Sequence, residues 1–266
     1  MAASVRTRNV WPSKSYPGGR NIQGGIVVGG QSIYEQSLTP LFPLEHVIKM
    51  GNRTFIYSSA GETLYAGNLC EMAPYGGATT TLQTTQAVTA AAAAGNTRIY
   101  VNALTTAQTA DTFKDGYISV WDATTTGKCW LFKIKGNSAL ATSGTTSYVD
   151  LYDPLPEALT TDDQCEFIAN PYKSVAQHNA SQAGCCLGVA PINVTSAYYF
   201  WLQTYGPAAV YPEAALDVGE DVVASDNVAG TVCKRASATE GPVVGFAWAI
   251  GTAAESSIVF LTIRKE

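Results

Sequence analysis

The side chains that could support catalysis or bind a metal are few and are spread along the chain. There are two histidines, His46 and His178, and six cysteines, none of them in a C-x-x-C motif. A cysteine nucleophile needs a nearby base, and a structural zinc site needs four ligands at close spacing. The spacing therefore predicts no catalytic residues, no cofactor and no metal site, so that the chain is expected not to be an enzyme.

Two short motifs resemble parts of catalytic signatures but lack the residues on which the chemistry depends. The stretch "TTTGKC" (124–129) has Asp122 where a phosphate-binding loop needs glycine, and Cys129 where it needs serine or threonine. The stretch "SDN" (225–227) matches part of a β-lactamase signature, but no S-x-x-K accompanies it. Both are interpreted as turns.

Two clusters of reactive side chains are also interpreted as structural. Asp162, Asp163 and Glu166 lack the spacing and the glycine of a calcium loop, which favours a solvated turn. Cys185 and Cys186 are adjacent, and in a strand they would point to opposite faces, so that at least one is expected to be a small buried apolar group. Most of the six thiols are expected to be reduced and buried.

The composition limits the classes of partner. Charged residues make up 14% of the 266 residues, against about a quarter in average soluble proteins. Such a surface suits a protein that lies against another molecule, although a β protein with Ser- and Thr-rich faces would look the same. The net charge of −5 argues against direct nucleic-acid binding. No apolar run approaches the ~18–20 residues of a membrane span.

The charge is divided unevenly along the chain. The only charges before Glu35 are Arg6, Arg8, Lys14 and Arg20, whereas the rest of the chain holds 12 basic and 21 acidic residues. Residues 1–45 are predicted to form an extended arm, because their first part shows no periodic pattern of apolar residues. The arm is either a solvated tail or a segment that docks on an acidic neighbour.

Beyond the arm, the pattern predicts an all-β protein of two small antiparallel β units, each a sandwich or a small barrel. Alternating apolar residues and turn signals predict four strands, at 97–101, 116–122, 129–135 and 147–153. The first unit is assigned to residues 46–180 and includes the antiparallel segment 97–153, and a barrel-like unit is assigned to 181–266. The best candidate for a short helix is "PLFPLEHVIKMG" (40–51).

One predicted strand, "AYYFWLQTYG", carries aromatic residues on both faces. Tyr198 and Phe200 share one face, and Tyr199 and Trp201 share the other. A strand with one solvated face would alternate apolar and polar residues, so this strand is expected to be covered on both sides. It lies either at the centre of a two-layer core or with one face against another subunit, where Tyr and Trp are common.

Several blocks together resemble a known family. In chain order they are "GNRTFIYSSAGETLYAGNLCE", "DGYISVWDATTTGKCWLFKIKGN", "VDLYDPLPEALTTDD", "NPYKSV", "LGVAPINVTSAYYFWLQTYGPAAV" and "VVGFAWAI". They resemble structural proteins of tailed bacteriophages of the head decoration or cement type, over roughly residues 50–266. The N-terminal arm matches less clearly, and the motifs are structural and mark no active site.

The resemblance implies a β-rich homo-oligomer, with a trimer favoured, bound to the major capsid protein on the outside of a virion and assembled in the host bacterial cytoplasm. The alternative is a tail-fibre or adhesin module that binds host surface glycan. The candidate contacts with the capsid or with other subunits are Arg6, Arg8, Lys14, Arg20, Tyr199 and Trp201. Neither function requires nucleic acid, a membrane or a cofactor.

Overall fold

All regular elements of the described chain are β-strands, which confirms the predicted all-β class. The computed structural model describes residues 27–28, 30–73, 82–103, 106–123, 127–180, 184–236, 241–253 and 255–264. Its strands are β1 (Val27–Val28), β2 (Gln31–Ser32), β3 (Val47–Met50), β4 (Arg53–Ser59), β5 (Leu69–Glu71), β6 (Leu82–Ala87), β7 (Arg98–Tyr100), β8 (Tyr117–Asp122), β9 (Cys129–Asn137), β10 (Tyr148–Leu151), β11 (Asp163–Ile168), β12 (Ala176–Gln177), β13 (Cys186–Val189), β14 (Tyr199–Val210), β15 (Asp221–Ala224), β16 (Val232–Lys234), β17 (Val243–Ala247) and β18 (Ser257–Thr262).

The helix predicted at 40–51 is wrong. Val47–Met50 form β3, which pairs with β4 across a two-residue turn at Gly51 and Asn52. Ile48 is buried and Lys49 is exposed, which is the period of a strand. A Gly-Asn pair between two apolar runs is a hairpin signal that outweighs the weak helical pattern before it.

The larger sheet is antiparallel and has ten strands. Its order is β12-β5-β13-β14-β18-β17-β15-β16, with β4 paired to β14 and β3 paired to β4. These strands come from residues 47–71 and 176–262, on both sides of the smaller sheet in the sequence. The boundary assigned between residues 180 and 181 therefore falls inside this sheet, between β12 and β13.

The smaller sheet has six antiparallel strands in the order β6-β11-β8-β9-β10-β7 and is inserted between β5 and β12. Strands β7, β8 and β10 lie within three of the ranges predicted from 97 to 153, and β9 begins at Cys129 as predicted and ends two residues later than predicted, which confirms the four strands. The sheet curls until residues after β6 meet β7, where Thr89 N donates to Tyr100 O at 2.8 Å. Its core includes Phe113 and Phe167, whose rings meet edge to face at 4.8 Å.

Polar contacts join the two sheets. Glu45, before β3, accepts hydrogen bonds from Lys133 Nζ at 2.6 Å and from Tyr117 Oη at 3.3 Å, both on the smaller sheet. Lys173, before β12, donates to the carbonyl oxygens of Asp111 and Thr112 at 3.0 and 3.1 Å. Side chains of the larger sheet's segments at Glu45 and Lys173 therefore hold the smaller sheet against the larger one.

The longest strand, β14, is covered on both faces at its start, as predicted. Phe200 and Leu202 belong to a core cluster on one face, together with Ile56. Trp201 belongs to a second cluster on the other face, with Tyr57. In the second half of β14, Ala208 and Val210 belong to a third core cluster. A bulge between Gln203 and Tyr205 reverses the alternation, so Ala208 and Val210 lie on the same face as Trp201.

Gly206 lies in β14 where the strand passes the β3–β4 turn, at φ +84°, and a Cβ there would overlap the carbonyl oxygen of Asn52. We expect Gly206→Ala to lower the free energy of unfolding by more than about 2 kcal/mol, because the backbone of one strand would have to move. Gly219→Ala is the matched control: its φ is +89° but nothing lies within 4 Å of the added carbon. Urea unfolding of both variants separates overlap from backbone strain, and equal losses would contradict the role given to Asn52.

Candidate functional site

A buried polar cluster lies where the two ends of the ten-stranded sheet meet. His178 directly follows β12, and its backbone N–H donates to Leu69 O at 2.9 Å. Gly230, just before β16, donates to His178 O and accepts from Leu69 N, both at 2.8 Å. These backbone bonds close a seam between the first and last strands of the sheet.

The imidazole of His178 uses both of its nitrogens at this seam. Nε2 lies 3.0 Å from the carbonyl oxygen of Ser225, and Nδ1 lies 3.0 Å from Oε2 of Glu71. A carbonyl and a carboxylate only accept, so both ring nitrogens carry a proton and the ring is an imidazolium. Glu71 Oε2 also accepts from Gly184 N at 3.3 Å. His178 and Glu71 are 1% and 0% exposed, so this is a buried ion pair.

The environment raises the pKa of His178 from 6.5 to about 10. Burial opposes the charge and lowers the pKa, but hydrogen bonds with Cys186, Glu71 and the carbonyl of Ser225 together outweigh it. The folded protein thus keeps a proton that the unfolded chain releases near neutral pH.

The cluster brings a cysteine, a histidine and a carboxylate together, which are the components of a thiol-based catalytic site. A thiol nucleophile needs a histidine nitrogen with a free lone pair, and both nitrogens of His178 are occupied by acceptors. The ring and the carboxylate are also closed to solvent. The arrangement fits a structural ion pair that is closed to solvent. No local pattern marks it, because Glu71 and His178 are 107 residues apart.

A second ion pair corrects the interpretation of the acidic turn. Asp163 is 1% exposed and accepts from Lys128 Nζ at 3.0 Å and from Thr160 N at 2.7 Å. The solvated turn predicted there is therefore wrong for Asp163. The ion pair between Lys128 and Asp163 instead joins the start of β9 to the start of β11.

The cysteines differ from the expectation as well. All six are free thiols, but only Cys70 and Cys165 are buried, and Cys129 and Cys185 are exposed. The prediction that most thiols are buried is wrong. Burial raises the pKa of both Cys70 and Cys165 to about 12, so neither is a reactive thiolate at neutral pH.

Within the described ranges, no three His, Cys, Asp or Glu side chains are grouped as a metal site would require. The same part of the chain contains no helix that is long and apolar enough to cross a membrane.

Residues 31–46, here called the strap, cover the outer face of β14 at its start. Gln31 holds the strap in place: its carbonyl accepts from Trp201 Nε1 at 3.3 Å, its Oε1 accepts from Tyr57 Oη at 2.8 Å, and its Nε2 donates to Tyr199 O at 3.0 Å. Trp201 is fully buried beneath the strap. Its face is covered by its own chain, so the candidate contact at Trp201 is not available to another molecule.

The other candidate contacts have different outcomes. Tyr199 is partly buried and stacks on Tyr57 at 5.9 Å, and its backbone pairs with Ser37 of the strap. The four cations of the arm, Arg6, Arg8, Lys14 and Arg20, lie outside the described residues.

The strap presents an apolar surface to solvent. Tyr34, Leu38 and Leu41 are 55%, 63% and 48% exposed, while Ile33 between them and the sheet is fully buried. Because the strap is fixed from beneath by Gln31, these three side chains form a defined surface. Sequence reasoning treated this region as part of an extended arm and did not identify it.

A second apolar surface, here called the aromatic patch, comprises Tyr205, Phe246, Trp248, Ile258 and Phe260. It lies on β14, β17 and β18, on the face opposite the one that carries Ala208 and Trp201. Phe246 and Phe260 are register partners and stack at 5.1 Å, and Trp248 lies 4.8 Å from Phe260. Tyr205 meets Phe260 edge to face at 5.1 Å. Trp248 and Ile258 are 47% and 48% exposed. The strand pattern was visible in the sequence, but the common face was not.

Comparisons of the chain with protein-family models, with curated proteins and with solved structures give no match.

We expect His178→Gln to lower the free energy of unfolding by about 3 kcal/mol near pH 6, because it leaves the buried Glu71 carboxylate without a cation. The contribution of the ion pair is complete below pH 6.5 and is lost as the pH rises toward about 10, since the folded pKa is the higher one. The difference in free energy of unfolding between wild type and variant should therefore shrink as the pH rises between those values.

Urea unfolding at several pH values measures this slope. His46→Gln, which removes the exposed histidine away from the seam, is the control. A wild-type advantage over His178→Gln that stays constant or grows with pH would show that His178 is not protonated in the folded state.

Proposed function

We propose that the chain is a non-catalytic structural subunit of a bacteriophage virion, a decoration or cement protein that binds and stabilises the capsid shell from outside. The observation that carries the proposal is the apolar surface of the strap. Tyr34, Leu38 and Leu41 are exposed within eight residues on a segment that is fixed to the sheet beneath. Aromatic and large aliphatic side chains held rigidly at the surface are typical of the core of a protein interface.

The polar chemistry of the fold supports the same proposal. The cluster with catalytic residue types is occupied by internal hydrogen bonds, and the second buried carboxylate, Asp163, is paired with Lys128. The low charge content and the resemblance of the blocks to phage head proteins agree with a shell component.

A subunit of this kind stabilises a shell by mass action. If it binds only the assembled lattice, each occupied site contributes about 4 kcal/mol at a thousandfold excess of free subunit over Kd. Contacts from several copies on one shell then slow dissociation further, because each released copy stays close to its site.

The first expected outcome concerns the strap. Leu38→Ser should weaken binding to undecorated phage heads by about tenfold, because it removes roughly half of a leucine side chain from the interface. Co-sedimentation of labelled protein with heads measures the affinity. Leu131→Ser is the matched control, since Leu131 is equally exposed, at 68%, but lies on the smaller sheet. Retention on purified host glycan without binding to heads would instead favour the adhesin alternative.

The second expected outcome concerns the arm. Deletion of residues 1–26 stops before β1 and keeps Gln31 and Ile33, which the strap needs. The deletion removes four cations and no acid, so binding to heads should weaken most at low ionic strength. Binding curves at about 0.05 M and 0.5 M salt measure the effect. If the truncated and full chains bind heads equally at both salt concentrations, residues 1–26 make no contact in the assembly.

A further inference from the structure

The aromatic patch occupies a sheet face on which polar side chains are expected. Val259 and Leu261 of β18 belong to a core cluster on one face of the sheet, and the patch lies on the other face. An antiparallel sheet with one face on a core normally carries polar side chains on its solvated face. Here that face carries Tyr205, Phe260 and Trp248 on three neighbouring strands instead. This composition is typical of a surface that another molecule covers.

The rings of the patch hold one another in place. Phe260 lies at their centre, 5.1 Å from Phe246, 4.8 Å from Trp248 and 5.1 Å from Tyr205. Side chains that are already packed against each other lose little conformational freedom when a partner covers them. Trp248 and Ile258 nevertheless leave 47% and 48% of their surface exposed. The patch is therefore preformed for binding and still open.

The size of the patch matches one partner's share of a dimer interface. A stable interface buries about 800 Å² on each partner, and somewhat more than half of that area is apolar. Together with the neighbouring Pro207 and Ala209, the patch exposes on the order of 400 Å² of apolar surface, given the areas of its side chains and their exposure. A contact of the patch with itself would supply the apolar part of such an interface.

Charges of both signs border the patch. Asp221 is exposed and is the register partner of Phe246. Arg264 is exposed on the patch side of the sheet, two residues beyond Thr262, which is the register partner of Tyr205. In a two-fold contact, each residue meets the same surface of the other copy, so a border of one sign would repel itself. A border with both signs is able to pair with its own copy.

We propose that the aromatic patch is the contact between two copies of this chain, related by a two-fold axis. The choice of a second copy over the shell rests on the proposed function, in which the strap meets the shell. The strap covers the face of β14 that carries Trp201, and the patch lies on the opposite face, away from that contact. Two copies joined in this way bind a shell through two straps, which slows their release.

The oligomeric state of the full-length protein in solution tests the contact. We expect sedimentation equilibrium to show a dimer. Ile258→Lys should raise the dimer Kd at least about a hundredfold, because each copy would bury a charge against apolar rings. Trp248→Ala should raise it at least about tenfold, because each copy loses a large ring from the interface. A monomer at every concentration, or an oligomer larger than a dimer, overturns the proposal.

Two control variants separate this contact from the other exposed side chains. Leu131→Lys lies on the smaller sheet, where Leu131 is 68% exposed, and should leave the dimer intact. Leu38→Ser lies on the strap and should also leave the dimer intact, although it is expected to weaken binding to heads. Circular dichroism identifies a patch variant that fails to fold, and the other patch variant then decides. A dimer that persists unchanged in a folded patch variant overturns the proposal.

Photo-crosslinking locates the contact without a destabilising substitution. Trp248 is replaced by benzoylphenylalanine, and equal amounts of ¹⁴N- and ¹⁵N-labelled protein are mixed, irradiated and digested. We expect cross-links from residue 248 to peptides within 199–210 or 241–264 that join different isotope labels. Cross-links that join only equal labels, cross-links to other peptides, or none would overturn the proposal. No phage heads are used, so failure of this contact and failure of the head-binding assay are distinguishable.

Discussion

The buried ion pair between Glu71 and His178 is the contact on which the larger sheet depends. A carboxylate and an imidazolium withdrawn from water are each costly alone, and removing one leaves the other uncompensated. At the seam they neutralise each other, and each also makes one hydrogen bond with the backbone: Glu71 accepts from Gly184 N, and His178 donates to Ser225 O. The pair therefore holds together the first and last strands of a sheet whose edges would otherwise be open for pairing with other chains.

The same seam explains how the chain carries a second sheet. The insertion leaves the larger sheet after Glu71 and returns at Ala176, and these two residues are register partners. An insertion whose ends meet adds a unit without stretching the host sheet. The ion pair lies next to this attachment. Glu45 and Lys173 add hydrogen bonds between the two sheets, to Lys133 and to the backbone of Asp111. The smaller sheet then keeps its own core, built from its own strands.

Two apolar surfaces are exposed, one on each face of β14. The strap covers the face that carries Trp201 and exposes apolar side chains of its own, while the aromatic patch lies on the opposite face. Exposed aromatic and large aliphatic side chains on a fixed sheet are typical of the core of a protein interface.

The sequence by itself determined the β class, strands β7 to β10 and the two-sided cover of β14, because these depend on alternation between near neighbours. It misassigned residues 47–50 and the environment of Asp163, where a distant partner decides the outcome. Only the tertiary structure decided which strands share a sheet, that Glu71 meets His178, and that Trp201 is buried by the strap while Trp248 is exposed. Those contacts join residues that are tens to more than a hundred positions apart, and a local pattern holds no information about which distant segment will cover a given face.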